Sequence, residues 1–130
     1  MYLIDTNIFL EVLLSQERRE ICKRFLDENG GDLFVSDFSL HSIGVILFRN
    51  NREDVFQKFV HDAIPNINII TLSKESYEDL AKIRSEKGLD FDDAYQYKIA
   101  QENELKIATM DKDFERIKGE GNITFLQDIG

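Results

Sequence analysis

An α/β fold, with a short and mostly parallel sheet sandwiched between helices, is what this sequence predicts. Two observations predict it. Short apolar runs alternate along the chain with longer stretches of helical periodicity. Successive runs are also too far apart for a hairpin, and crossover helices are the connection that parallel strands require. The chain has 130 residues, 42% of them hydrophobic, which suits one domain with a real core over residues 1–130.

Tyr2–Ile4 reads as the first strand, followed by helices over Ile8–Leu14 and Arg18–Glu28. The second of these carries Ile21, Cys22, Phe25 and Leu26 at helical spacing, and Asn29-Gly30-Gly31 stops it. Leu33–Val35 is a second strand. Ser36 caps a helix from Phe38 to Phe48 that carries Leu40, Ile43, Leu47 and Phe48. Val55–Ala63 follows as a helix with Phe56, Phe59 and Val60 inward. Asn68–Leu72 is a third strand, and Ser73 is placed to cap a helix over Lys74–Glu86. Gly88 ends that helix, and Asp90 precedes another from about Phe91 to Asn103. Lys106–Thr109 is strand 4, Lys112–Ile117 a short helix and Asn122–Phe125 a fifth strand.

Composition narrows the function. The net charge is −9, opposite to that of a protein that coats nucleic acid by neutralising phosphates. It fits a metal site, a basic protein partner or plain solubility. A single cysteine, Cys22, excludes an intramolecular disulfide. No apolar run approaches the ~20 residues of a membrane span, and no basic segment precedes a signal-like apolar run. A cytoplasmic protein without a membrane partner is expected.

The chemistry is carried by acids at the junctions between elements. Asp5 ends the first apolar strand, where an open parallel sheet places its ligand site. Burying a carboxylate there is costly unless it is paired or binds a metal, and Thr6, Asn7 and Ile8 after it offer no charge partner. Asp90, Asp92 and Asp93 gather at a helix start, Asp111 and Asp113 follow strand 4, and Glu11 lies two turns into the first helix. Each of these also has a structural reading. Asp90 looks like an N-cap with Asp93 at capping-box spacing, Asp92 and Asp93 favour a helix dipole, and Asp111 can cap the short helix after it. Converging carboxylates repel one another, and a hard divalent cation such as Mg2+ resolves that conflict. Such a site suits hydrolysis at phosphorus. Thr6, Asn7 and Thr109 are polar neighbours able to orient the acids, or turn formers.

The stretches LIDTNIFLE, DDAYQYKIA and ATMDKDF, in this order and within this length, resemble the PIN domain family, including the toxin ribonucleases of toxin–antitoxin pairs. The resemblance spans nearly the whole chain. It implies a three-layer α/β/α domain and an endoribonuclease that uses Mg2+ or Mn2+. Carried over residue by residue, Asp5, Asp93 and Asp111 become the metal-site and catalytic acids, with Asp92 the alternative register for Asp93, and Asn7 and Thr109 the polar accessories. It further implies an RNA substrate, a small antitoxin protein and a homodimer paired through helices.

One position departs from the family pattern. The second acid, usually a Glu early in the helix after strand 2, is Ser42 here, with His41 beside it. The site thus lacks one charge, for which Glu11 or Asp113 could compensate. RNA contacts would fall to Arg18, Arg19, Lys23, Arg24, Arg49, Arg52, Lys112 and Lys118. The runner-up reading is a degenerate PIN domain kept for protein interaction. A phosphoacceptor signalling domain fits poorly, because it needs an acidic pair after strand 1.

Overall fold

The computed structural model describes residues 1–128; the last two residues of the expected domain lie outside them. The sheet has the strands β1 (Tyr2–Ile4), β2 (Leu33–Ser36), β3 (Asn68–Ile70), β4 (Lys106–Thr109) and β5 (Ile123–Phe125). They run in the order β3-β2-β1-β4-β5, and every pairing is parallel. The helices are α1 (Thr6–Leu13), α2 (Arg19–Glu28), α3 (Asp37–Arg49), α4 (Glu53–Asp62), α5 (Leu80–Lys87) and α6 (Phe91–Glu102), with 3-10 segments at Ile64–Asn66, Lys74–Asp79, Lys112–Glu120 and Leu126–Asp128.

Two cores form because successive strand side chains point to opposite faces of the sheet. Leu3 and Ile107 face one layer, with Leu80 and Ile83 of α5, Ala94, Ile99 and Ala100 of α6, and Phe114. Ile4, Val35 and Ala108 face the other, with Ile8 and Phe9 of α1, Cys22 and Phe25 of α2, Ile43 and Leu47 of α3, and Phe59 of α4. Burial on both faces is what makes such short strands read as continuous apolar runs. No helix among the described residues is long and apolar enough to cross a membrane.

Several expectations change in the structure. The first helix begins at Thr6, two residues before the apolar pattern, because the Asp5 carboxylate caps it. The expected helix over Lys74–Glu86 divides into a 3-10 segment and α5. Ser73 does not cap it; its hydroxyl and that of Ser76 are held by Glu102 of α6. Val60, expected inward, is exposed, as are Phe48 and Ile21. Gly88 ends α5 at φ +71°, a left-handed conformation that glycine adopts without strain, and so turns the chain toward α6.

Candidate metal centre

The site stands at the carboxyl edge of the two central strands. Asp5 follows β1 directly, and Thr109 ends β4 beside it. The Thr109 hydroxyl donates to Asp5 Oδ2 at 2.7 Å and accepts the Asp111 backbone N–H at 2.9 Å. One side chain therefore fixes both the first acid and the turn that carries Asp111. Asp5 Oδ1 accepts the Thr6 N–H at 2.8 Å, and Asp111 Oδ1 accepts the Asp113 N–H at 2.9 Å. Asp5 is only 9% exposed. Burial raises its pKa above the ordinary carboxylate value, the bonds from Thr109 and Thr6 oppose the rise, and the Asp111 charge adds to it.

Asp93 approaches from the first turn of α6. It is half-buried, whereas Asp92 beside it is exposed. Burial, then the charges of Asp111, Asp5, Asp113 and Asp90 in that order, push its pKa up to about 7. Asp93 thus feels both the inner acids and an outer pair. Carboxylate oxygens of Asp90, Asp93 and Asp113 all lie within 4.8 Å of one another. Asp90 had a local reading as a helix cap, but its side chain makes no capping bond; it pairs instead with Arg84 at 3.2 Å. It joins the acids because Gly88 and Leu89 bring the chain back to the sheet edge.

Beneath the acids runs a polar seam. The Thr6 hydroxyl donates to Ser39 Oγ at 2.9 Å, and Gln96 Nε2 donates to the same oxygen at 2.9 Å. Ser39 N–H in turn donates to the capping Ser36 Oγ. The seam ties together the N-terminal turns of α1 and α3 and the second turn of α6. Gln96 is buried, and its Oε1 has no hydrogen-bond partner among the described residues. Sequence patterning did not single out Gln96. Its signal was a polar residue between Tyr95 and Tyr97 in a helix buried nearly all round.

The other candidates lie elsewhere. Glu11 accepts the Arg18 N–H at 2.8 Å and so holds the α1–α2 turn. Asn7 is exposed and lines a shallow cavity with Glu11 and Arg18. His41 is exposed and lines an apolar groove with Leu40, Gly44 and Phe48. Ser42 is half-buried on α3, one turn beyond Ser39. Among the candidate cations, Arg19, Lys23, Arg52 and Lys118 each pair with a nearby acid.

This donor set fits a hard divalent cation. Every candidate ligand is an oxygen, the carboxylates repel one another at close range, and a buried amide oxygen lies unpaired one turn from Asp93.

No curated protein sequence matches the chain at a significant level. A toxin–antitoxin complex from Klebsiella pneumoniae contains a chain with 25% identity and a TM-score of 0.78, the match covering 97% of this chain and 98% of that one. The fold also resembles that of VapC20 from Mycobacterium tuberculosis, a toxin that cleaves the sarcin–ricin loop, at 14% identity and a TM-score of 0.75, covering 94% and 96% of the two chains. FitAcB from Neisseria gonorrhoeae shares the fold at 19% identity and a TM-score of 0.71, covering 96% of each chain. The family model described as PIN domain matches residues 2–120. With that match over most of its length, the chain belongs to the PIN domain family.

Proposed function

We propose that this chain is a metal-dependent endoribonuclease, the toxin of a toxin–antitoxin pair, which hydrolyses RNA phosphodiester bonds at Asp5, Asp93 and Asp111 with Mg2+ or Mn2+. The observation that carries the reading is the buried Asp5 carboxylate, held by Thr109 at a sheet edge where it and three other acids press on Asp93. PIN domains are typically nucleases that use divalent metals, and folding alone gives no reason to assemble these charges.

In this reading Asp5, Asp93 and Asp111 hold the cation. Thr109 keeps Asp5 turned toward it, and Asp113 and Asp90 supply the negative charge that Ser42 does not. A cation held by these residues would supply Lewis acidity toward a phosphoryl oxygen and toward water. Asp93, whose pKa is pushed up to about 7 by burial and by the neighbouring carboxylates, would give up its proton when a cation binds among them. The N-termini of α1, α3 and α6 all lie at this edge and favour an anionic substrate. Lys112, next to Asp111, is the nearest candidate phosphate contact in sequence. A small antitoxin protein and a second copy of the chain are the partners this reading carries, the first in line with the Klebsiella complex.

Ser42 favours a second reading, a PIN domain retained for protein interaction without cleavage. The two separate in one experiment. A mixed RNA pool is incubated with Mn2+ and wild type, Asp5→Asn or Ser42→Glu, and metal binding is followed by calorimetry. Cleavage by wild type, loss in Asp5→Asn and tighter metal binding in Ser42→Glu support the nuclease. Equal background from all three, with no metal heat, leaves the interaction module.

A further inference from the structure

The first turn of α6 carries a feature that the acid cluster does not use. Phe91 lies between Asp90 and Asp92 and is 58% exposed. A lone exposed apolar side chain is ordinary on a protein surface, but this ring is held in place. It stacks on the ring of Tyr95 one turn later, with centroids 6.4 Å apart and planes 28° from parallel. Tyr95 is only 4% exposed and immobilised. Its hydroxyl donates to Asp37 Oδ1 at 2.7 Å and accepts the Leu72 N–H at 3.3 Å. Phe38 and Tyr77 pack against its ring, each with centroids 6.0 Å away. A fixed aromatic ring thus backs Phe91, which remains largely open to solvent.

We propose that Phe91 is a stacking platform for one nucleobase of a single-stranded RNA whose phosphate lies at the acid cluster. The inference rests on the nuclease reading and deepens it. Position supports it, because Phe91 directly follows Asp90, whose carboxylate lies within 4.8 Å of those of Asp93 and Asp113. On this proposal a strand held at the acids would pass this ring. Charge supports it as well. A chain of net charge −9, whose candidate cations are partly occupied by local acids, gains little affinity from phosphate neutralisation. Stacking on an aromatic face does not depend on charge and tolerates any base. A ring already fixed by Tyr95 loses little freedom on binding.

The test measures anisotropy of a short labelled single-stranded RNA of mixed sequence, with Ca2+ replacing Mg2+ to keep the strand uncut. Phe91→Ala should weaken binding roughly 5- to 150-fold and leave its salt dependence unchanged. Phe91→Trp should restore binding, and Phe91→Leu, which keeps apolar area without a π face, should not. The chain contains no tryptophan, so the introduced indole reports contact through quenching when RNA is added. Removing single bases along the strand should reveal one position that matters to wild type and not to Phe91→Ala. If wild type binds and cuts RNA but Phe91→Ala or Phe91→Leu matches it in affinity, the platform is wrong and the nuclease stands. If Phe91→Ala changes the oligomeric mass by light scattering but not RNA affinity, the ring serves a protein contact instead. If wild type neither binds nor cuts RNA, both readings fall.

Discussion

The carboxyl edge of the sheet and the groove between α3, α4 and β3 are both surfaces that stability alone would not select, for different reasons. At the edge, Asp5, Asp90, Asp93, Asp111 and Asp113 bring like charges together, and threonine, serine and backbone donors hold the inner acids in place. In the groove, Leu40, Val45, Phe48, Phe56 and Ile69 line a cavity of about 650 Å³ with few polar groups, and Phe48 is 54% exposed. A small hard cation would relieve the edge. Any apolar cover of the right size relieves the groove. Directional bonds to a strained charge therefore carry functional information that exposed apolar area does not, and the proposed function rests on the edge for that reason.

The largest effect expected is on cleavage. Asp5→Asn removes the acid that Thr109 orients and should lower the rate of RNA cleavage ~100-fold or more, since a catalytic cation supplies several kcal/mol. Gel assays of the RNA pool with Mn2+ measure this. The same protein should melt no lower than wild type without metal, because a buried, repelled carboxylate has become a neutral amide. Parallel losses of activity and melting temperature would remove the contrast between edge and groove.

Metal should also stabilise the fold. Mn2+ at a hundredfold excess over its Kd contributes about 2.7 kcal/mol by mass action, seen as a rise in melting temperature. Asp93→Asn and Asp111→Asn should abolish most of that rise, while Phe48→Ser in the groove should keep it in full. An equal rise in all of these proteins would place the ion elsewhere.

Without metal, Asp93 makes the edge sensitive to pH. Its folded pKa is raised to about 7 from an ordinary carboxylate value. The folded state therefore holds the proton more tightly than the unfolded state. That contribution is fully present at low pH and is lost as pH rises through the folded value. Glu102 and Glu120, whose pKa values are lowered by hydrogen bonds, act in the opposite sense in every variant and cancel in a difference. The stability of Asp93→Asn relative to wild type should thus grow between about pH 4 and pH 7. It should reach about 1–2 kcal/mol, because solvent screens a half-open site. Urea titrations in the presence of chelator test this, and a constant difference across that range would contradict it.

The two regions also differ in how far the sequence revealed them. Tyr2–Ile4 and Lys106–Thr109 were legible to the residue, since strands buried on both faces leave unbroken apolar runs. Asp5 and Thr109 stood out because they are polar residues ending such runs. Asp90 was legible both as one of the acids at a helix start and as a cap, but its partners, Arg84 and the acids around Asp93, are set by how α5 and the turn after β4 come together. Ser73 misled in the same way, its local capping signal yielding to Glu102 on a neighbouring helix. The groove was not legible. Helical spacing placed Val60 inward, but periodicity gives only the angle between side chains, and Val60 is exposed.

The smallest effect separates edge from groove within a single helix. Gly44 lies on α3, two residues beyond Ser42, and forms part of the groove. Glycine in a helix interior costs about 1 kcal/mol relative to alanine, so Gly44→Ala should gain helix stability. Against this, an added Cβ would stand 3.3 Å from Phe56 Cε1 and 3.5 Å from its Cζ. These are atoms at the end of a half-buried ring, packed edge-on against exposed Phe48 at 5.9 Å between centroids. The ring borders open space and is able to move by the few tenths of an ångström required. The strain should offset only part of the gain, leaving Gly44→Ala about 0–0.5 kcal/mol more stable than wild type. Its Mn2+-induced rise in melting temperature and its RNA cleavage should be unchanged. A loss of either would mean that α3 transmits packing in the groove to the seam at Ser39, and the edge and the groove would then have to be treated as one coupled site.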